Sequence, residues 1–417
     1  MMFDRSAALS WYARNRQRSR LLFDMLPEDV YYSRPIDLRH PIVFYDGHLP
    51  GFSFNTFVKK ALGRPSIDAR LESLFARGID PHESSQAAKA EWPRKDAVRA
   101  FVDEADARVV HALTNDDLER PGHPLLDRAD AVFTILEHEA MHQETLLYMW
   151  HRLPFACKRR PAEYVPRTDG VVPVEQWCDV PAGRAALGAD RASLVFGWDN
   201  ELPAYATDVP SFQIQRHDIT NAQFMEFVDA GGYTNARLWR PEDWEWVQTQ
   251  KLSHPLFWES VDGRWFWRGM FELIPLPSSW PVYVSQAEAS AYARWRGWRL
   301  PSEAEYQRAA AGSAPTVCDF ASWDPEPVGS HPDCASEYGV EDLVGNGWEW
   351  TSSTFGPFPG FRASASYPEY SADFFDGEHF VMKGASPATA RELVRPTFRN
   401  WFRARYPYVY ATFRCVR

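Results

Sequence analysis

The sequence lacks the features of several large protein classes. Its five cysteines are scattered and form no CxxC pair, so neither a disulfide framework nor a zinc finger is expected. No apolar run approaches the roughly 18 residues of a membrane span, and the N-terminus has no signal-peptide apolar core. Fixed-period repeats and low-complexity tracts are also missing. These absences predict a cytoplasmic protein with reduced thiols and no membrane association.

Positively charged residues are fewer than negatively charged ones. The chain has 45 Lys and Arg against 56 Asp and Glu, which gives a net charge of -11 and a pI near 5.6. A surface of this sign repels nucleic acid and anionic lipid. We therefore expect no nucleic-acid partner and no anionic-membrane partner. The partners expected are small molecules, and the chain is expected to act as a monomer.

Helical periodicity dominates the first third of the chain, which at 417 residues is too long for one ordinary core. The pattern predicts four helices, the number needed for a helix bundle. Their ranges are about 7–25, 50–62, 93–114 and 125–152.

The composition of the chain changes at a predicted linker near 156–175: proline and glycine become frequent, and long helical periodicity nearly disappears. One clear helix follows, over 285–297, with Ser285 as N-cap and Gly297 at its end. We predict an α+β protein, with a helical bundle over 1–165 and a mixed α/β domain, rich in irregular structure, over 166–417.

The helix predicted near 125–152 contains an HExxH motif, His138-Glu139-Ala140-Met141-His142. Two histidines four residues apart share one helix face and can bind one metal ion, but a third ligand is needed. A zinc hydrolase would use Glu139 as general base and a downstream acid such as Glu163. The other source is upstream, where His48 follows an apolar run in "HPIVFYDGHLPGF". Because the flanking residues are apolar, the helix should be buried, and buried imidazoles without partners are costly.

Many stretches resemble the ergothioneine sulfoxide synthases, in the order found in that family. They include "FGWDNELP", "ITNAQFMEFV", "DLVGNGWEWTSS", "YPEYSADFFDGEHFVMKGAS" and "RPTFRNWF". They come after His48, which is expected on a loop, and after the helix with the HxxxH pair, as in that family. The resemblance implies a DinB-like four-helix bundle and a formylglycine-generating-enzyme-like (C-type-lectin-like) domain that forms the substrate pocket.

The same resemblance implies a mononuclear non-heme Fe(II) held by His48, His138 and His142. Three imidazoles leave coordination positions for substrate and O₂. The family joins a thiol sulfur, from cysteine or γ-glutamylcysteine, to the imidazole ring of hercynine (Nα-trimethylhistidine), with oxidation to a sulfoxide. Asn400 and Trp401 match the positions that hold hercynine, with Trp401 suited to the trimethylammonium group. The residues of "WEW", by contrast, are expected to be core.

Three departures from the family pattern concern the sulfur donor. Phe402 stands where actinobacterial members have an Asp that engages γ-glutamylcysteine, and Met141 stands where they tend to have Gln. The form "HPIVFYDGH" is closer to ovothiol-type synthases. An ovothiol-type enzyme with histidine as acceptor and a selenoneine-type enzyme with a selenol donor therefore stay open. Arg403, Arg405 and Arg414 are candidate partners for a donor carboxylate, or ordinary structural charges.

The family also has an active-site tyrosine that tunes sulfoxidation against simple thiol oxidation. Tyr406, Tyr408 and Tyr410 are the candidates, because they follow the pocket residues and a tyrosine hydroxyl can donate a proton. Packing of a tyrosine-rich strand is the alternative explanation. Rival functions are a formylglycine-type oxidase, which would need a closely placed cysteine pair, and a catalytically silent binding protein.

Overall fold

The computed structural model describes residues 3–76 and 92–417. The chain forms two compact units. The first consists of Met1–Pro161 with Ser364–Pro368, and the second of Ala162–Ala363 with Glu369–Arg417. No local sequence pattern indicates that Ser364–Pro368 belongs with the helical unit.

The first unit is built from helices. They are α1 (Arg5–Asp24), α2 (Ile42–Ser53), α3 (Ala69–Phe75), α4 (Lys95–Asn115) and α5 (Asp130–Arg152). α2 continues directly into a π-helical segment, Phe54–Ala61. Tyr12, Phe57, Val109 and Ile135 contribute to the buried core that joins these elements. None of the helices in the described ranges has the length and apolar content needed to span a bilayer.

The predicted helices over 7–25, 93–114 and 125–152 are confirmed, but the prediction that His48 lies on a loop is wrong. Helix α2 begins at Ile42, directly after its N-cap Pro41, and contains His48 together with Pro50. Gly and Pro normally argue against a helix interior. Here nearly every side chain of α2 is buried, so tertiary packing outweighs the unfavourable propensities.

The second unit contains short strands in four small sheets within the described ranges. The strands are β1 (Trp177–Val180), β2 (Gly183–Leu187), β3 (Tyr205–Val209), β4 (Phe212–Gln215), β5 (Trp258–Val261), β6 (Arg264–Arg268), β7 (Leu273–Pro275), β8 (Gly347–Thr354), β9 (His379–Ala385), β10 (Asn400–Arg403) and β11 (Ala411–Thr412). The largest sheet has the order β10-β9-β8-β11, with β10 antiparallel to β9, β9 antiparallel to β8, and β11 parallel to β8. The other sheets are β1-β4, β2-β3 and β5-β6-β7.

Short helices connect these strands: α6 (Asn221–Asp229), α7 (Pro241–Gln250), α8 (Gln286–Arg296) and α9 (Glu303–Ala309). The predicted ends of α8 are confirmed. Ser285 and Glu288 form a reciprocal capping box, and Gly297 ends the helix at φ 73° in the left-handed region. An L side chain at that φ would be strained, which explains the glycine.

The "WEW" motif lies in β8 and is core, as predicted. Trp348 and Trp350 are buried, and Glu349 accepts from Arg414 Nε over 2.8 Å. Arg414 also pairs with Asp218 over 3.1 Å, and all three charged side chains are fully buried. These two carboxylates balance the charge of Arg414 inside the second unit. This arrangement agrees with an ordinary structural charge, which was the alternative to binding a donor carboxylate.

Candidate metal centre

Three histidine side chains converge in the helical unit. His48 is on α2, and His138 and His142 are on successive turns of α5. The Nε2 atoms of His48 and His142 are 3.3 Å apart, and those of His142 and His138 are 3.1 Å apart. Metal–nitrogen bonds of about 2.1 Å put two ligand atoms about 3.0 Å apart at 90° and about 3.4 Å apart at the tetrahedral angle. The spacing is therefore that of ligands around one ion.

Burial keeps these imidazoles neutral. It lowers the pKa of His48 to about 4 and the pKa values of His138 and His142 well below the usual range, with the neighbouring histidines adding to the effect at both. His48 Nδ1 lies 2.7 Å from the carbonyl oxygen of Phe75 and donates its proton there, so Nε2 carries a lone pair. If the Nε2 atoms of His138 and His142 also carry lone pairs, three lone pairs at these distances repel unless a cation lies between them.

Aromatic rings hold two of the imidazoles in place. Phe44 stacks on His48 with ring centroids 4.8 Å apart, and Phe52 stacks on His138 at 3.5 Å with an interplanar angle of 10°. Phe44 and Phe52 lie one helical turn before and after His48, so one face of α2 carries His48 and the rings that pack on His48 and His138.

The donor set can be tested against a metal. Within the described ranges, these three histidines form the group with metal-ligand spacing, and no carboxylate belongs to it. The Nδ1 atoms of His138 and His142 are buried and find no hydrogen-bond partner in the described part of the chain. A neutral ring with its proton at Nδ1 offers Nε2 to a metal, so the set fits a divalent transition ion with open positions.

Glu139 does not face this group. Its Oε1 accepts from Arg16 Nη1 and from Ser19 Oγ, each over 2.7 Å, and both partners are on α1. Arg16 is also paired with Asp106 over 2.8 Å. The carboxylate of the HExxH motif is therefore part of a buried ion-pair network between helices, and it lacks the geometry of a general base at the histidines.

One residue that the sequence analysis did not single out lies beside the three histidines. The ring of Tyr367, in the segment Ser364–Pro368 of the same unit, is 6.0 Å from that of His138 and 5.1 Å from that of Phe52. Tyr367 begins the stretch "YPEYSADFF", which carried part of the family resemblance. That motif was the available signal, although its spacing could not indicate the contact.

In the second unit, Trp401 lies among aromatic rings. Phe355 stacks on it with centroids 4.2 Å apart and an angle of 5°, and Tyr370 meets it edge-on at 5.1 Å. Phe374 is 5.7 Å away. Trp401 is therefore part of an aromatic cluster in the second unit.

The neighbours of Trp401 in β10 have different surroundings. Asn400 Oδ1 accepts from the backbone N–H of Trp401 over 2.9 Å. Phe402 stacks on Tyr406 at 5.0 Å, and Tyr408 meets Tyr406 edge-on at 5.0 Å. These tyrosines form a ring cluster with Phe402.

The remaining candidates have different surroundings. The side chain of Arg403 is 62% exposed and lies 3.8 Å from Glu378, so its charge is only weakly held. Arg405 pairs with Asp243 over 3.2 Å. Met141 is half-buried on α5, directly before His142.

Comparison with known proteins gives the family. Residues 12–146 match the DinB superfamily, and residues 163–321 and 315–417 match the sulfatase-modifying factor enzyme 1-like domain. The hercynine oxygenase of Mycolicibacterium smegmatis is 35% identical over 81% of this chain and 82% of its own length. The chain belongs to the hercynine oxygenase family.

Further relatives agree with this membership. The hercynine oxygenase of Mycolicibacterium thermoresistibile is 36% identical over 93% of this chain and 89% of its own length. Ergothioneine biosynthesis protein 1 of Schizosaccharomyces pombe is 28% identical over 94% of this chain and 54% of its own length.

The two domain matches confirm the predicted architecture, which consists of a DinB-like helical unit and a formylglycine-generating-enzyme-like unit. The prediction of an oxygenase-type, ergothioneine-type sulfoxide synthase is confirmed as well. The histidine group is consistent with a metal.

Proposed function

We propose that this enzyme uses O₂ and an Fe(II) ion held by His48, His138 and His142 to form a C–S bond between a thiol and the imidazole ring of hercynine. The observation that carries the proposal is the convergence of three buried, neutral Nε2 atoms at 3.1 and 3.3 Å. When bound, iron would supply O₂ activation and a coordination position for sulfur. Three protein ligands leave room for both.

The chain's own residues orient the ligands and handle protons. The hydrogen bond from His48 to Phe75 fixes the tautomer of His48, and Phe52 fixes the ring of His138. Tyr367 is our candidate for the active-site tyrosine, because its ring contacts that of His138 and its hydroxyl can donate a proton or hydrogen atom. Tyr406 and Tyr408 remain the candidates suggested by sequence alone.

Hercynine recognition is assigned to Trp401 and Asn400. The aromatic rings around Trp401 suit a trimethylammonium group, which has no N–H to donate and is attracted by ring faces. Asn400 can offer its amide to the carboxylate end of the substrate.

We propose cysteine rather than γ-glutamylcysteine as the thiol donor. Phe402 has no carboxylate that could bind the amino group of γ-glutamylcysteine, and its ring is stacked on Tyr406. Met141 likewise provides no amide beside His142. Substrate panels of cysteine, γ-glutamylcysteine and selenocysteine, each with hercynine and with histidine, should give the largest kcat/KM for cysteine with hercynine. A preference for histidine would favour the ovothiol-type alternative.

The central test is iron content together with product formation. Protein reconstituted anaerobically with Fe(II) should bind one iron per chain and, with hercynine, cysteine and air, consume O₂ and give a C–S-bonded sulfoxide detectable by mass spectrometry. His48→Ala, His138→Ala and His142→Ala should each lose iron and product together.

The matched control is His111→Ala. His111 is exposed on α4, where its ring nitrogen contacts Asn115, so this variant removes an imidazole without touching the centre. It should keep iron and activity. Full iron retention in the three ligand variants would overturn the assignment.

A further inference from the structure

The tyrosine next to the metal ligands comes from a part of the chain remote from them in sequence. Tyr367 lies in Ser364–Pro368, whereas the helix with His138 and His142 ends at Arg152. Specific contacts are therefore needed to keep the tyrosine ring at 6.0 Å from the ring of His138.

The strongest of these contacts joins Ser366 and Asp130. Ser366 Oγ donates to Asp130 Oδ2 over 2.6 Å, and Ser366 is only 3% exposed. A hydrogen bond to a carboxylate is shorter and stronger than one between neutral groups. Lys60 adds weaker contacts, because its Nζ donates to the carbonyl oxygens of Ala365 and Ser366 over 3.3 and 3.5 Å.

The segment also has an internal hydrogen-bonded turn. Ser364 Oγ accepts from the backbone N–H of Ser366 over 3.2 Å and from that of Tyr367 over 3.3 Å. Ser366 and Tyr367 are thereby tied to one acceptor. A contact that fixes Ser366 consequently restricts Tyr367.

Asp130 occupies a position from which it can set the place of Tyr367 relative to the metal ligands. It is the first residue of α5, and His138 follows eight residues later on the same helix. The two positions are about 12 Å apart along a continuous helix. Because the helix is rigid over this length, a group bound to Asp130 is held at a fixed distance from His138. Phe52 completes the arrangement, since it stacks on His138 and touches Tyr367 at 5.1 Å.

We propose that Asp130 is a positioning residue that holds Tyr367 beside His138 through its hydrogen bond with Ser366. The catalytic consequence rests on the proposed function, in which Tyr367 is the active-site tyrosine. The anchoring itself does not, because Asp130 and Ser366 are not among the three metal ligands.

The anchor is tested first in metal-free protein, by amide hydrogen exchange. Asp130→Ala and Ser366→Ala should each accelerate exchange at Ser366 and Tyr367 by roughly tenfold, as expected for the loss of one charge-assisted hydrogen bond. The double variant should show no further acceleration, because both changes remove the same bond. Asp130→Asn, which keeps an oxygen acceptor but not the negative charge, should restore about half of the lost protection on a free-energy scale.

The control is Asp127→Ala, which removes a carboxylate near the same helix N-terminus but one bonded to the backbone N–H of Gly122. It should leave exchange at Tyr367 unchanged. If Asp130→Ala behaves like this control, the proposal is overturned.

The catalytic readout is the ratio of C–S-bonded sulfoxide to oxidised thiol at full iron loading. Asp130→Ala should keep the iron affinity of the wild type but shift this ratio toward oxidised thiol, as Tyr367→Phe should, and the two changes together should equal Tyr367→Phe alone. An unchanged ratio would refute the positioning role. A wild-type protein without iron or product would refute the proposed function instead, while the exchange data still decide the anchor.

Discussion

His48 donates its Nδ1 proton to the carbonyl oxygen of Phe75, the last residue of α3, over 2.7 Å. This bond decides which ring nitrogen of His48 is available to a metal. It depends on close approach of α2 and α3, and the residue that permits the approach is Gly47. A Cβ at Gly47 would lie 2.4 Å from ring atoms of Phe75.

We predict that Gly47→Ala weakens iron binding although alanine is the better helix former. The new methyl group must displace Phe75, and its carbonyl oxygen would move away from His48. Loss of an outer-shell partner of a metal-binding histidine typically lowers metal affinity about 10- to 100-fold. Competition with a chelator of known Fe(II) affinity measures the change.

Gly51→Ala is the matched control, one turn later on the same helix. Its Cβ would come no closer than 3.3 Å to the edge of Phe101, so a small adjustment suffices. Iron affinity should stay within about threefold of the wild type, a small change compared with the effect of removing an outer-shell contact. Equal affinities for the two alanine variants would contradict the role given to Gly47.

The motif glutamate allows a second prediction. Glu139→Gln should lower the free energy of unfolding by roughly 2 kcal/mol, because it removes the negative charge that faces buried Arg16. Iron content and kcat should remain near those of the wild type, since the side chain points toward α1 and not toward the histidines. Urea unfolding and metal analysis of the same preparation provide the measurement, and loss of activity in a stably folded variant would argue for a general base.

The helical pair His138 and His142 could be predicted from sequence because helix periodicity is local: four residues bring two side chains to one face. The ends of α8 were predictable for the same reason, since Ser285 and Gly297 act within one turn. His48 could be proposed as third ligand by resemblance, but its helical setting could not be predicted, because Pro50 and two glycines suggest a loop.

The position of Tyr367 beside His138 could not be predicted from the sequence. Its contact with His138 depends on a hydrogen bond between Ser366 and Asp130, two residues that are distant in the chain and have no shared periodicity. The orientation of Glu139 toward Arg16 is a similar case. Long-range partners follow from packing of whole elements, so the motif alone left both a hydrolase and an oxygenase possible.

A third prediction concerns the quaternary ammonium group. Trp401→Leu should weaken hercynine binding about tenfold, because cation–π attraction contributes about 0.5–2 kcal/mol and leucine has no ring to provide it. Histidine is the control ligand, because it has the same imidazole ring but lacks the three N-methyl groups. The substitution should weaken histidine binding less than hercynine binding. Calorimetric titration of both ligands measures the difference, and equal losses would show that Trp401 acts only through packing with Phe355.

The fourth prediction is a pH dependence of stability in the second unit. Asp324 is buried, and burial raises its pKa to about 6 even though it accepts from Tyr164 over 2.5 Å and from Trp267 over 3.3 Å. The folded state thus binds the proton more tightly than the unfolded state does. The stabilisation is fully present below the unfolded pKa of about 4 and is lost as the pH rises through 6.

Asp324→Asn isolates this contribution because it replaces the carboxyl group with a neutral amide of the same shape. Relative to the wild type, the variant should gain stability as the pH rises from about 4 to 7, by up to about 3 kcal/mol for a pKa difference near two units. Urea midpoints at a series of pH values give the difference directly, and the other carboxylates cancel in it. A difference that does not vary with pH would mean that the pKa of Asp324 is the same in the folded and unfolded states, which would contradict the prediction.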